Sequence, residues 1–167
     1  MSAIARRTYL EMHSRRDLRA AGPPFDGVRI ERVTARAPSF WRYLYTEVGR
    51  AYHWVDRLPW TDEDILRYLS DPAIQLWVMA SAGAPAGYFE LRTVDDGSVE
   101  IAYFGILPDF IGRGLGKHLL SVAVEQAWAS GASRVWLHTS SLDHRSALSN
   151  YLARGFRIFK TETYDVP

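Results

Sequence analysis

Apolar residues along this chain repeat at two spacings, and the switches between them mark out the elements. Gly27–Ala35 alternates Val28 and Ile30 with Arg29 and Glu31, which predicts a half-buried strand. Pro38 suits a first helical turn, and Phe40, Trp41, Leu44, Tyr45 and Val48 then form a broad helical stripe that Gly49 weakens. Thr61, with Asp64 at the third helical position, predicts a capped helix that runs to about Ser70, before Asp71-Pro72. Ile74–Ala80 and Ala86–Val94 read as strands joined by the turn Ala82-Gly83-Ala84-Pro85. A second turn, Asp95–Ser98, leads into a third strand, Ile101–Leu107. Helical spacing returns at Leu115, Leu119, Val122 and Ala123 and stops at Gly131. Arg134–Thr139 predicts a strand, Asp143 the start of a helix that Gly155 ends, and Phe156–Tyr164 a last strand. Arg6–His13 is a shorter strand candidate in a polar, arginine-rich segment. A central sheet with helices on its faces follows.

The 167 residues make one domain, large enough for a sizeable core. We divide them into an N-terminal extension, residues 1–26, carrying an added edge strand, and a main domain, residues 27–167. Formal charge is +1, with no basic block or acidic tail, so neither nucleic acid nor a membrane is the expected partner. There are no cysteines, which excludes disulfides, thiolate metal sites and cysteine nucleophiles. The opening residues hold cations but no long apolar run. That reads against a secretory leader and makes the cytoplasm the expected location.

The densest chemistry lies in Ile101–Leu120. A strand ends at Pro108-Asp109, three glycines at 112, 114 and 116 allow tight backbone folding, and a helix opens. The unpaired N–H groups of that first turn and the helix dipole favour an anion, and Arg113 and Lys117 add charge. A phosphate-bearing ligand is expected. A Walker A loop does not fit, because position 111 is Ile and position 118 is His. A dinucleotide fingerprint fails too, with Lys at 117 and Leu at 119 where its frames need a small residue.

The stretch Ile111-Gly112-Arg113-Gly114-Leu115-Gly116 resembles motif A of the GNAT acetyltransferase superfamily, with Ile111 in place of a polar first residue. A second stretch, from Leu142, resembles that family's Asn-x-x-Ala-x-x-x-Tyr-x-x-x-Gly-Phe at His144, Ala147, Tyr151, Gly155 and Phe156, with His144 replacing Asn. The resemblance implies an α/β (α+β) fold whose central sheet is mixed and mostly antiparallel, with six to seven strands and about four helices. It also implies acetyl-CoA as cosubstrate and no metal. Ile106 and Leu107 would bind the pantetheine arm through their backbones. Ile111, Gly112, Arg113, Gly114, Leu115, Gly116 and Lys117 would cradle the pyrophosphate, with His144 beside them. The family ends in a further strand that this chain lacks, and Arg6–His13 is a candidate to fill its place.

Transfer of an acyl group from a thioester to an amine needs a base, an oxyanion donor and a proton for the leaving thiolate. Glu100 stands where protein acetyltransferases of the family carry a strand glutamate, and its apolar neighbours Val99, Ile101 and Tyr103 suit a general base. Glu90 on the adjacent strand and His138 compete for that role. Tyr151 is the thiolate donor by resemblance, and the backbone N–H near Ile106 is the oxyanion donor. Tyr52, Trp54, Asp56, Arg57 and Trp60, with Tyr88 and Tyr103 from the sheet, would recognise the acceptor. An aromatic wall with an acid suits a small-molecule amine or a peptide N-terminus. The expected activity is N-acetyl transfer to a primary amine by direct attack, in a monomer or homodimer. The alternatives are a non-catalytic acyl-CoA sensor on the same fold and a nucleotide-binding module.

Overall fold

A computed structural model describes residues 2–167. Its elements run β1 (Ile4–Met12), β2 (Val28–Val33), α1 (Pro38–Gly49), α2 (Asp62–Ser70), β3 (Ile74–Ser81) and β4 (Ala84–Thr93). They continue with β5 (Val99–Ile106), α3 (Leu115–Ala129), β6 (Val135–Ser140), α4 (Ala147–Ala153) and β7 (Arg157–Asp165). The seven strands form one sheet in the order β2-β3-β4-β5-β6-β1-β7. Every neighbouring pair is antiparallel except β5–β6. This is the mixed, four-helix α/β architecture expected from the sequence.

Local chemistry sets the element ends. The Thr61 hydroxyl accepts from the Asp64 N–H at 3.2 Å, and the Asp64 carboxylate accepts from the Thr61 N–H at 2.9 Å. This reciprocal cap satisfies two otherwise orphaned donors at the start of α2. α3 opens on Gly114 at φ +76, a left-handed conformation that disfavours any side chain. α4 starts later than expected. Asp143 folds back instead, accepting from the Thr139 hydroxyl at 2.6 Å and the Ser140 N–H at 2.8 Å, so helix begins only at Ala147.

The extension's strand does not lie at an edge. β1 is interior, paired with β6 on one side and β7 on the other, and β7 is the edge. Its partners lie more than 120 residues away in sequence, a pairing that no local pattern announces. Ala5, Leu10 and Met12 are accordingly buried.

The sheet separates two apolar clusters. The larger holds Leu119, Leu120, Ala123 and Val124 of α3 against Phe89, Leu91, Val99 and Ile101. The smaller holds Trp41, Leu44, Tyr45 and Val48 of α1 with Ile65 of α2 against Leu76, Tyr88 and Leu107. Two irregularities shape the space between them. In the β4–β5 ladder, Glu90 pairs with Tyr103 but Leu91 with Ile101, which leaves Ala102 as an unpaired bulge. The extra residue shifts the alternation, so that Glu100 and Tyr103 face one cleft although their numbers differ in parity. And β5 and β6 pair only at Val99–Val135 and Glu100–Trp136 before they part. β6 turns to β1 instead, and the gap it leaves holds the site.

Candidate active site

Two connected clefts occupy that gap. The larger, about 630 Å³, runs from Ile106 along the glycine loop to α4. The smaller, about 270 Å³, lies over the α1 side of the sheet at the β5–β6 fork. Tyr52, Trp54, Phe104, Asp143 and Tyr151 line both, so these five residues mark the junction.

The glycine loop has the geometry its sequence implies. Gly112 and Gly114 take φ of +83 and +76, and Ile111, Gly112, Gly114, Leu115, Gly116 and Lys117 all border the larger cleft. Leu115 is buried and anchors α3 from below, while Arg113 lies outside the lining with its guanidinium 5.0 Å over the Phe110 ring. From α4 and the loop before it come His144, Arg145, Asn150 and Arg154. His144 Nδ1 accepts from the Ser146 N–H at 3.0 Å, and its ring stands edge-on to Tyr52.

Cations outnumber carboxylates along this cleft, whose lining carries Lys117, Arg145 and Arg154 against Asp143. Among the described residues, Arg113, Lys117, Arg145 and Arg154 have no carboxylate partner within 4 Å. The Asn150 amide donates to Gly116 O at 3.3 Å, which leaves its Oδ1 buried and unpartnered, as is Arg154 Nε one turn later. Buried polar atoms left unpaired are costly, and these two belong to residues that line the cleft, where a ligand can pair them.

The smaller cleft has the opposite bookkeeping. Arg57, Arg92 and Arg7 border it, and each already holds a carboxylate: Glu90 at 2.9 Å, Glu100 at 2.8 Å and Glu162 at 3.4 Å. Glu100 faces this cleft from the fork, with its side chain 10 % exposed. His138, on β6, faces the same space. Burial lowers its pKa, and the Glu100 charge opposes that shift. Tyr103 covers Arg57, ring centroid 3.9 Å from the guanidinium carbon, and burial pushes its phenol up to about 12.

Four residues named from the sequence, Leu107, Glu90, Trp60 and Tyr88, lie outside both clefts. Leu107 points into the smaller apolar cluster. Its N–H donates to Ala86 O at 2.8 Å and its C=O accepts from Phe110 N at 2.9 Å, so its backbone is committed to the fold. Glu90 is fully buried, borders neither cleft, and is held by Arg57 and by the Tyr68 hydroxyl. Trp60 and Tyr88 also border neither cleft. Trp60 stacks on Trp41 at 5.4 Å, and Tyr88 is 1 % exposed. Tyr52, Trp54, Asp56, Arg57 and Tyr103 do line the smaller cleft. Asp143, Asn150, Arg154, Arg7 and Arg92 were missed. For Asp143 the available signal was its place between the strand and the second motif.

The sequence profile of the Acetyltransferase (GNAT) family matches residues 39–156, more than half of the chain. The chain belongs to the GNAT acetyltransferase family. Its GNAT relatives include uncharacterized N-acetyltransferases of Mycobacterium bovis and Mycobacterium tuberculosis, 33% identical over 97 residues, which is 58% of this chain and 62% of theirs. A mycothiol acetyltransferase of Clavibacter sepedonicus is 29% identical over 133 residues, 78% of this chain and 43% of that one. Among solved structures, a GCN5-related N-acetyltransferase from Kribbella flavida aligns with TM-score 0.70 at 22% identity, over 97% of this chain and 58% of that one. The chain thus spans about three fifths of the curated mycobacterial relatives and less than half of the Clavibacter one.

Within the GNAT frame, the larger cleft suits the family's usual donor, acetyl-CoA, which joins a polyanionic diphosphate to an arm of amides. Unpartnered cations and a glycine nest fit the first part, and the orphaned Asn150 Oδ1 fits the second. No group of three or more His, Cys, Asp or Glu among the described residues is placed to hold a metal ion, and no helix among them is long and apolar enough to cross a membrane.

Proposed function

We propose that this chain transfers the acetyl group of acetyl-CoA to a primary amine of a small molecule or a peptide N-terminus, by direct attack and without a covalent enzyme intermediate. The observation that carries the reading is the contrast between the two clefts. One collects cations with no internal partner beside a glycine nest, as a polyanionic donor requires. The other has each of its arginines paired and holds Asp56, with Asp143 at the junction, neither of them within 4 Å of a cationic group among the described residues, which suits an amine acceptor.

Each residue then has a task. Ile111, Gly112, Gly114, Leu115, Gly116 and Lys117 hold the diphosphate, with Arg113, His144 and Arg154 beside them, and the Ile106 backbone meets the acyl arm. Glu100 draws the first proton from the ammonium, since only about one alkylamine in a thousand is neutral at pH 7. Tyr151, at the junction and 6 % exposed, supplies a proton to the leaving sulfur. Burial, and after it the Asp143 charge, raises its pKa, so it stays protonated until a thiolate forms beside it.

The test is thiol release from acetyl-CoA across amines, amino acids, polyamines, aminoglycosides and peptides, with calorimetry of coenzyme A binding. Glu100→Gln should lose turnover and keep coenzyme A affinity. A protein that binds coenzyme A yet releases no thiol with any amine is the sensor instead, and one without affinity for coenzyme A ends both readings.

A further inference from the structure

The junction of the two clefts contains one carboxylate. Of the five residues that line both spaces, Trp54 and Phe104 cannot exchange a proton at neutral pH, and Tyr52 and Tyr151 are phenols. Asp143 is the fifth. Its Oδ2 is fixed by two donors, the Thr139 hydroxyl and the Ser140 N–H, while Oδ1 makes no protein hydrogen bond among the described residues. No cation lies within 4 Å of it among them. Glu100, by contrast, borders only the acceptor cleft and is joined to Arg92.

Proton counting gives such a group a task. An alkylammonium acceptor must shed two protons to become a neutral amide. The first leaves before attack. The second leaves as the nitrogen–carbon bond forms and the carbon–sulfur bond breaks, and the departing sulfur needs one proton at the same moment. We propose that Asp143 is a catalytic residue of this reaction: its free Oδ1 takes the second proton from the attacking nitrogen, and Asp143 then reprotonates Tyr151 after Tyr151 has given its own proton to the sulfur. The balance closes without a co-reactant. One proton goes to solvent by way of Glu100, one ends on the thiol, and Asp143 and Tyr151 return to their starting states. The position suits the task, because only a group bordering both clefts can meet the amine on one side and the thioester sulfur on the other. The pKa directions agree: Asp143's charge adds to burial in raising both Tyr52 and Tyr151.

This inference rests on the acetyl-transfer reading above, and the experiment separates the two. Asp143→Asn keeps an oxygen for Thr139 and Ser140 and removes the proton acceptor. Asp143→Glu disturbs that fit and keeps the carboxylate. With an amine that the wild-type protein acetylates, D143N should lower kcat about a hundredfold, with acceptor KM and coenzyme A affinity within about twofold. D143E should turn over at least about tenfold faster than D143N. The double variant D143N/Y151F should be no slower than the slower single one, because the two act as a unit. A merely structural Asp143 gives the reverse order, with D143N better than D143E. That order, a D143N kcat within about threefold of wild type, or multiplicative losses in the double variant would each overturn the relay while leaving acetyl transfer standing. A wild-type protein that releases no thiol from any amine overturns both.

Discussion

Arg57 spans both carboxylate oxygens of Glu90, its Nη1 lying 2.9 Å from Oε1 and 3.1 Å from Oε2. Tyr68 closes the arrangement by hydrogen-bonding both partners, and the guanidinium lies against the rings of Trp60, Tyr68 and Tyr103. Burial alone would disfavour the charge on Arg57, but the Glu90 carboxylate, joined by Tyr68 and Tyr103, outweighs it and the net pKa is raised. The pair pins the loop between α1 and α2, which carries Tyr52, Trp54 and Asp56 to the smaller cleft, onto the middle of β4.

Removing one member should therefore cost both stability and acceptor binding. Glu90→Gln leaves an uncompensated buried guanidinium, worth about 3–5 kcal/mol. Urea unfolding should show that loss, and the acceptor KM should rise while coenzyme A affinity stays near wild type. A loss under about 1 kcal/mol would mean that the pair does not hold the loop.

Gly155 is a second fixed point. It takes φ +109, and a Cβ there would lie 1.9 Å from the Asp17 carbonyl oxygen. Main chain cannot easily retreat, so Gly155→Ala should destabilise by on the order of 3 kcal/mol. Thermal melts check this, and an unchanged melting temperature would show that the turn after β1 is free to leave α4.

The unpartnered cations of the larger cleft make donor binding sensitive to salt. The screening length falls from about 10 Å at 0.1 M to about 3 Å at 1 M. Coenzyme A affinity should accordingly drop about tenfold or more over that range, and Arg154→Leu should flatten the slope. Calorimetry at several salt concentrations reads it directly. A salt-independent dissociation constant would sink the polyanion argument.

His138 gives the fold a pH dependence of defined sign. Its folded pKa lies below the ordinary 6.5, through burial that Glu100 only partly offsets. The unfolded chain therefore binds a proton there more readily, and this contribution is complete above about pH 6.5 and lost as pH falls through the folded value. Urea midpoints between pH 7.5 and 5 should fall, and fall less in His138→Gln. Equal slopes in both proteins would remove His138 from the account.

The residues chosen for local reasons were the ones legible in the sequence. The Thr61–Asp64 cap, the alternation around Ile30, the glycines before α3 and the stripe of α1 each act within a few positions, through backbone dihedrals and the nearest hydrogen bonds. Two stretches, at Ile111–Gly116 and His144–Phe156, sufficed to suggest the family. Asp143 shows the limit: an acidic residue ahead of a helical pattern reads as its first turn, yet two donors behind it turned its side chain back.

Sequence alone thus determined the order and kind of the elements, the glycine turn before α3 and the carboxylates on β4 and β5. Tertiary structure decided which of those carboxylates face a cleft. The bulge at Ala102 aims Glu100 into the smaller cleft, while Arg57, 33 residues before Glu90, holds that carboxylate buried away from both clefts. It also decided that β1 lies inside the sheet, because a strand's place is set by partners far along the chain whose pairing energy no local pattern records.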